Sequence, residues 1–190
     1  MNMFEAIFNN ISDTYAPLSE ECQKELVNNV TVLNKTKGSI LVREGQYSDR
    51  TFYIVTGCAR AYYLKDGRDI SDWFAFENDF ISSIVSFFSE QPSPHYVEVL
   101  EDSVLLEFSR ERIENLAKRH HEYEHLLRII LTQTVLLQRA RISTILFQKA
   151  EQRYQSLLQL YPDILLRIPL THIASYLGIT LETVSRIRRP

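Results

Sequence analysis

The C-terminal segment carries polar side chains of the types that read nucleic-acid bases. It ends in Arg186 and Arg189, and Glu182 stands one helical turn before Arg186. Arginine binds guanine edges and phosphates, and glutamate accepts a hydrogen bond from the cytosine amino group. At a helical period the apolar Val184 and Ile187 fall on the opposite side. The segment therefore predicts a short helix with a base-reading face, whose candidate DNA contacts are Thr180, Leu181, Glu182, Thr183, Ser185, Arg186 and Arg189.

The residues before this helix predict a helix-turn-helix. Ile173, Ala174 and Leu177 form one apolar patch at a helical period, and Gly178 can take the positive φ that ends a helix. The small side chain of Ala174 lets two helices approach closely, and Thr180 is a good N-cap for the second one. Such a second helix would lie in a DNA major groove. The alternative is an ordinary helical hairpin with a solvated basic end.

Composition and charge favour a soluble globular protein whose two halves carry opposite net charge. The 190 residues are 45% hydrophobic and 24% charged, which argues against disorder. Residues 1–109 carry 8 Lys and Arg against 17 Asp and Glu, whereas residues 110–190 carry 13 against 7. An acidic front and a basic back suit a sensor joined to a DNA reader. No signal peptide, membrane span or disulfide framework is expected, which favours the cytoplasm and no membrane partner.

The apolar period changes along the chain and marks its parts. Two helical stripes precede residue 30, and a period of two then predicts short strands as far as Phe108. Glycines fall between these strands, where turns need them, so the pattern predicts an antiparallel roll or barrel. Towards the C-terminus, residues 148–161 predict an amphipathic helix and residues 164–168 a short strand or linker.

The order of these parts resembles a known family. Residues 37–45, KGSILVREG, and residues 52–57, FYIVTG, look like the jelly-roll core of a cyclic-nucleotide-binding domain. With a long helix and a terminal helix-turn-helix after them, the chain is similar to the cyclic-AMP receptor protein/FNR (Crp/Fnr) family of bacterial transcription regulators.

This resemblance implies an α+β fold in three parts. An N-terminal β-roll (a double-stranded jelly roll) takes residues 1–120, a long dimerisation helix residues 121–147, and a helix-turn-helix of the winged-helix type residues 148–190. Because family members continue into a β-hairpin wing that grips the DNA backbone, we expect the last domain to be truncated and to bind less tightly without it.

The effector pocket departs from the family pattern. Members that bind cyclic AMP use a Gly-Glu pair for the ribose and an Arg-Ser or Arg-Thr pair for the cyclic phosphate, and serines and a proline stand there in this sequence. A buried phosphate without a cationic partner is costly. We therefore expect no cofactor and no cyclic AMP, but a small-molecule effector of unknown identity or none, with candidate pocket residues Ser82, Ser83, Ser93 and Thr134. In the alternative, Ser82, Ser83 and Ser86 only cap a short surface helix.

A long helix is predicted between about residues 123 and 146. Alternating steps of four and three residues, the spacing of a coiled-coil seam, join Tyr123, Leu127, Ile130, Thr134, Leu137 and Arg141. Further apolar residues widen this surface, so the helix must be buried on two sides, one against the roll and one against a second copy. A two-fold dimer would place two reading helices about one DNA turn apart, on a near-palindromic site. The alternative is that the whole apolar surface is intramolecular.

No catalytic residue and no metal site is expected. Adjacent His120 and His121 point to different sides of a helix, and His121 and His125 lie one turn apart without a visible third ligand. An oxygenase built on a jelly roll needs a His-x-His cluster on strands, yet the single histidine of the roll is His95, beside a proline. The chain is therefore not expected to be an enzyme.

Taken together, the residues predict a dimeric DNA-binding transcription regulator. Its expected partners are double-stranded DNA, a second copy of the chain and, from the family resemblance, RNA polymerase. The alternative is a ligand-binding or protein-interaction module with a jelly-roll sensor and no DNA-binding activity.

Overall fold

The computed structural model describes residues 3–188, in which helices cover a β-roll that leads into a long helix and a helical C-terminal part. The antiparallel roll predicted from the alternating apolar residues is confirmed. Its strands are β1 Thr31–Lys35, β2 Ile40–Val42, β3 Arg50–Thr56, β4 Ala59–Lys65, β5 Arg68–Ala75, β6 Phe80–Ser82, β7 Tyr96–Val99 and β8 Ser103–Ser109.

The strands form two four-stranded sheets that pack face to face. Their orders are β1-β8-β3-β6 and β2-β7-β4-β5, and all pairs are antiparallel. Strands β3 and β8 are buried on both faces, which explains their nearly continuous apolar sequence. Phe52, Ile54 and Leu105 belong to the core between the sheets, whereas Tyr53 and Leu106 pack outward against helices.

Helices cover the outer face of the first sheet. Ser19 caps the second helix by accepting a hydrogen bond from the backbone N–H of Cys22. The longest helix would extend about 40 Å at 1.5 Å per residue. These helices are α1 Met3–Thr14, α2 Glu20–Asn29, α3 Ile84–Ser89, α4 Arg110–Ala117 and α5 His121–Phe147.

Four further helices form the C-terminal part: α6 Ala150–Leu160, α7 Ile164–Arg167, α8 Leu170–Leu177 and α9 Leu181–Ile187. The prediction of a strand or linker at residues 164–168 is wrong, because the backbone N–H of Ile168 donates to the Ile164 carbonyl at 2.8 Å and closes a helical turn. A short apolar run does not distinguish a strand from a buried helical turn. Within residues 3–188, no helix combines the length and the apolar character needed to cross a membrane.

Candidate DNA-binding surface, effector pocket and dimer face

The turn between α8 and α9 has the geometry of a helix-turn-helix. Gly178 takes a φ of 65° at the end of α8, a conformation that strains residues with a side chain. The backbone N–H of Ile179 then donates to the Ala174 carbonyl at 3.0 Å. The Thr180 hydroxyl accepts from the backbone N–H of Thr183 at 3.2 Å and caps α9. The predicted turn glycine and N-cap are therefore confirmed.

The apolar side of α9 is anchored against α8. Val184 is fully buried and belongs to the same apolar cluster as Ala174 and Leu177, and Ile187 packs against that cluster. The anchor fixes which side of α9 faces away from the protein.

That outward side carries most of the predicted DNA contacts. Hydrogen bonds from the backbone at the helix start hold the pKa of Glu182 below its ordinary value, so Glu182 is an ionised acceptor at neutral pH. Arg188 is also exposed and was not among the contacts predicted from the sequence, although it lies between Arg186 and Arg189. Arg189 lies outside the described residues. The predicted contacts on α9 that are exposed or half-buried are Leu181, Glu182, Thr183, Ser185 and Arg186.

One apolar cluster joins this helix pair to the roll. The rings of Phe74 in β5 and Tyr176 in α8 lie 5.0 Å apart between centroids, and those of Phe76 and Tyr161 lie 4.9 Å apart. Because the roll and the C-terminal helices share this core, turning the helix-turn-helix relative to the roll must separate buried apolar surface.

Arg167 makes the first of two polar connections across this junction. Its guanidinium donates to Glu77 Oε2 at 2.7 Å and also to the carboxylate of Glu101. Burial opposes the charge of Glu77, yet hydrogen bonds from Arg167 and from the backbone N–H of Gly57 hold the pKa of that carboxyl below its ordinary value.

Arg60 makes the second connection from inside the roll. Its side chain is 4% exposed and binds Asp69 Oδ1 and Oδ2 at 2.6 and 2.7 Å, and Glu98 Oε2 at 2.9 Å. Its Nη1 also lies 3.0 Å from Nδ1 of His172 in α8. Burial and then the charge of Arg60 lower the pKa of His172, which favours a neutral imidazole that accepts this hydrogen bond. Glu98 and His172 are 38 and 112 residues away from Arg60 along the chain, so no sequence pattern indicated the cluster.

The candidate effector serines Ser82, Ser83 and Ser93 are buried. The hydroxyls of Ser83 and Ser93 form hydrogen bonds within the protein. Ser83 Oγ donates to Ser93 Oγ at 2.7 Å, and Ser93 Oγ donates to the His95 carbonyl at 2.6 Å. The alternative interpretation as helix caps does not hold, because Ser83 stands at the N-cap of α3 without a capping side-chain bond and Ser86 is fully buried.

A cavity of about 130 Å³ lies between the roll, the N-terminal helices and α5. Of the four predicted pocket residues, Ser82 and Thr134 line it and the other two serines do not. The Thr134 hydroxyl donates to the Ile130 carbonyl of its own helix at 2.9 Å. No Lys or Arg of the described chain lines this cavity, and its aromatic walls are Phe8, Trp73, Phe80, Phe87, Phe88, Phe108 and Tyr123.

Part of the seam predicted on α5 packs within the single chain, and its assignment to a dimer interface stays a prediction. Tyr123 is buried in the N-terminal core. Arg141 Nη1 lies 3.0 Å from Asp72 Oδ1 in β5. Leu137 differs, because 47% of its surface is exposed. Three further seam residues line the cavity: Leu127, Ile130 and Thr134.

A different apolar row on α5 is exposed. We call it the exposed stripe, and its residues are Leu131, Val135, Ile142 and Leu146. Their spacing of four, seven and four residues keeps them on one side of the helix. The buried row and the exposed stripe repeat at the same period, so spacing alone could not decide which one the roll would cover.

The comparisons with known proteins agree with this architecture. The cyclic nucleotide-binding domain family matches residues 32–120. No curated protein sequence matches the chain.

Several solved structures share the fold over most of their length. FixK2 from Bradyrhizobium japonicum superposes with a TM-score of 0.72 at 23% identity, over 83% of this chain and 82% of FixK2. A regulator assigned to the Crp/Fnr family from Eubacterium rectale gives 0.69 at 21% identity, over 90% and 82% of the two chains. The catabolite activator protein of Thermus thermophilus gives 0.59 at 19% identity, over 94% and 84%.

At these identities the likeness establishes the fold. The roll, the long helix and the terminal helix pair occur here in the order that the sequence resemblance predicted. Residues 32–120 therefore match the cyclic nucleotide-binding domain family, and the chain has the fold of these solved Crp/Fnr-type structures.

Proposed function

We propose that the chain is a dimeric DNA-binding transcription regulator that reads a near-palindromic operator through α9. The observation that carries this proposal is a capped helix whose apolar side is buried and whose outward side presents Glu182, Arg186 and Arg188. Arginine and glutamate have the donor and acceptor geometry that base edges in a major groove require. The excess of basic residues after residue 110 adds attraction to phosphates.

The exposed stripe on α5 supports a second copy of the chain as the dimer partner. Its residues follow coiled-coil spacing, and Val135, near its middle, is 66% exposed in the single chain. Two such stripes packed about a two-fold axis would bury each other and give the two α9 helices a symmetric arrangement. The proposed site of action is the cytoplasm, with RNA polymerase as the partner that the family resemblance implies.

The proposed DNA binding is tested by selecting bound fragments from a random DNA pool at several salt concentrations. We expect enrichment of an inverted repeat, with an affinity that falls linearly on logarithmic axes as salt rises, because phosphate contacts release counterions. Salt-insensitive binding with no preferred sequence would instead favour the protein-interaction module.

Replacing Arg186 by alanine should weaken specific binding by about 1–3 kcal/mol per half-site, or about 5- to 150-fold, and relax the preference at one base position. The loss follows because one bidentate donor to a base edge disappears. Fluorescence anisotropy on the selected operator and on single-base variants measures both effects. Arg43→Ala removes one exposed positive charge from the roll and is the matched control. Equal losses in the two variants would remove Arg186 from the reading role.

We further propose that the effector, where one acts, is small, neutral and apolar. The cavity lacks a cationic wall, so a cyclic phosphate would lose its hydration without a partner. Its volume is similar to that of an engineered apolar cavity of about 150 Å³ that binds benzene.

Titration calorimetry should therefore show no saturable binding of cyclic AMP at micromolar concentrations. Small aromatic compounds such as toluene and indole should raise the melting temperature, because a ligand that binds only the folded state stabilises it. Replacing Trp73 by alanine enlarges the cavity and should change which aromatic compounds stabilise the protein. Micromolar affinity for cyclic AMP would overturn this account of the pocket.

A further inference from the structure

Metal-ligating side chains from two distant parts of the chain meet where α2 packs beside the start of α5. Cys22 and Glu25 lie on α2, His120 is the residue before α5, and Glu122 lies in its first turn. Ligand atoms of Cys22, His120 and Glu122 all lie within 4.8 Å of one another. A thiol, an imidazole and a carboxylate converge here at one point.

The His120 side chain is held in this cluster between two carboxylates. Its side chain is only 10% exposed, and its Nε2 atom is buried and makes no hydrogen bond. Nε2 lies 3.2 Å from Glu25 Oε1 in a direction unsuited to a hydrogen bond, and Nδ1 lies 3.8 Å from Glu122 Oε1. With Nε2 beside Glu25, Nδ1 is the ring nitrogen left to bind a metal shared with Cys22 and Glu122.

The neighbouring carboxylates are themselves held in place. Ser19, which caps α2, donates to Glu122 Oε1 at 2.6 Å. Arg119 Nη2 lies 2.8 Å from Glu25 Oε2. A carboxylate beside a metal-binding histidine commonly orients the ring and raises its basicity. Glu25 is placed for that role, and the hydroxyl of Ser19 fixes the orientation of Glu122.

We propose that Cys22, His120 and Glu122 bind a zinc ion, with Glu25 orienting the imidazole. Mixed sulfur, nitrogen and oxygen ligands suit zinc, which takes four ligands in tetrahedral geometry. Three ligands come from the chain, which leaves one position for water. Magnesium and calcium prefer oxygen ligands alone and fit this set poorly.

A metal at this point would connect the first domain directly to the long helix. It would tie α2 to the start of α5 through residues nearly one hundred positions apart in sequence, at the end of α5 that is buried against the roll. Ordering this end of α5 also orders the beginning of the exposed stripe. The inference does not depend on DNA binding, because the ligands lie on the effector domain and the first turn of α5.

Spacing along the sequence suggests other histidine pairs as candidate metal ligands. His120 is adjacent to His121, and His121 lies one helical turn from His125, and neither pair predicted a metal site. In the structure His121 is 94% exposed, and His125 Nδ1 lies 2.8 Å from Arg128 Nη2. The other nitrogen or sulfur ligand near His120 is instead the Cys22 thiol, which no motif along the chain connects to it.

Cobalt(II) titration of the reduced, chelator-treated full chain tests the proposal. Cobalt(II) adopts the same tetrahedral geometry as zinc, and a cobalt–thiolate bond gives a charge-transfer band in the near ultraviolet. We expect that band at one equivalent of cobalt, and its loss on addition of zinc. Cys22→Ser should abolish the band, whereas Cys58→Ser, which alters the other buried cysteine, should retain it.

Histidine and glutamate variants provide the second arm of the test. His120→Gln should weaken cobalt binding at least about tenfold, and Glu25→Gln about tenfold, whereas His121→Gln should leave it unchanged. Glu122→Gln keeps an acceptor for the Ser19 hydroxyl, so it should retain the fold while weakening cobalt binding, and it tests the ligand set even where Cys22→Ser unfolds. A wild-type chain without the thiolate band, a band lost in Cys58→Ser, or equal binding by His120→Gln and His121→Gln would overturn the proposal.

Discussion

Replacing Val135 by glutamate should convert the proposed dimer into monomers and lower the affinity for a two-half-site operator about 10²–10⁴-fold, because the second reading helix is no longer linked to the first. Val135 is 66% exposed in the single chain, so a carboxylate there remains hydrated in the monomer and leaves the fold intact. In a two-fold dimer the same substitution places two like charges in a desolvated interface. Sedimentation velocity and operator titration measure the two effects.

Leu137→Glu is the matched comparison on the same helix. Leu137 belongs to the seam that the sequence predicted, is 47% exposed, and borders the groove between α5 and the C-terminal helices. We expect Leu137→Glu to stay dimeric. We also expect wild type and Val135→Glu to bind a DNA fragment with a single half-site with equal affinity. If Leu137→Glu dissociates while Val135→Glu does not, the dimer forms through the sequence-derived seam and the exposed stripe is not the interface.

The long helix shows where sequence periodicity stops being informative. The helix could be predicted from apolar residues spaced alternately four and three positions apart, because that spacing places them on one side of a helix. Two rows satisfy the same spacing, one through Tyr123 and Ile130 and one through Leu131 and Val135. The protein's own core buries Tyr123 and partly buries Leu127 and Ile130 of the first row. Which row it covers depends on the shape of the packed sheets, which no local pattern contains.

The helix-turn-helix was predictable in detail because its turn depends on local contacts. Gly178 ends α8 and Thr180 caps α9 through contacts that span at most a few residues, so the residue types themselves specify the turn. The clusters around Arg60 and around Cys22 and His120 join residues from distant parts of the chain. Their members look like ordinary surface or core residues until the fold brings them together, and neither cluster was predicted.

Replacing the buried Arg60 by methionine should lower the free energy of unfolding by about 3 kcal/mol, near the lower end of the range for removing one partner of a buried ion pair. Methionine retains much of the aliphatic stem, but Asp69 and Glu98 then face each other without a cation. The lower end applies because both carboxylates are only part-buried. His172 also loses a partner, so contact between α8 and the roll should weaken. Urea unfolding at neutral pH measures the change.

Arg50→Met is the matched control for the burial of Arg60. Arg50 also pairs with two carboxylates, those of Asp49 and Glu107, but its side chain is 40% exposed, so its loss should cost less than about 1 kcal/mol. Adding Asp69→Asn and Glu98→Gln to Arg60→Met should recover most of the lost stability, because the unpaired charges are then absent. Equal costs for Arg60→Met and Arg50→Met, or no recovery in the triple variant, would mean that charge pairing at Arg60 is not what stabilises the junction between the roll and α8.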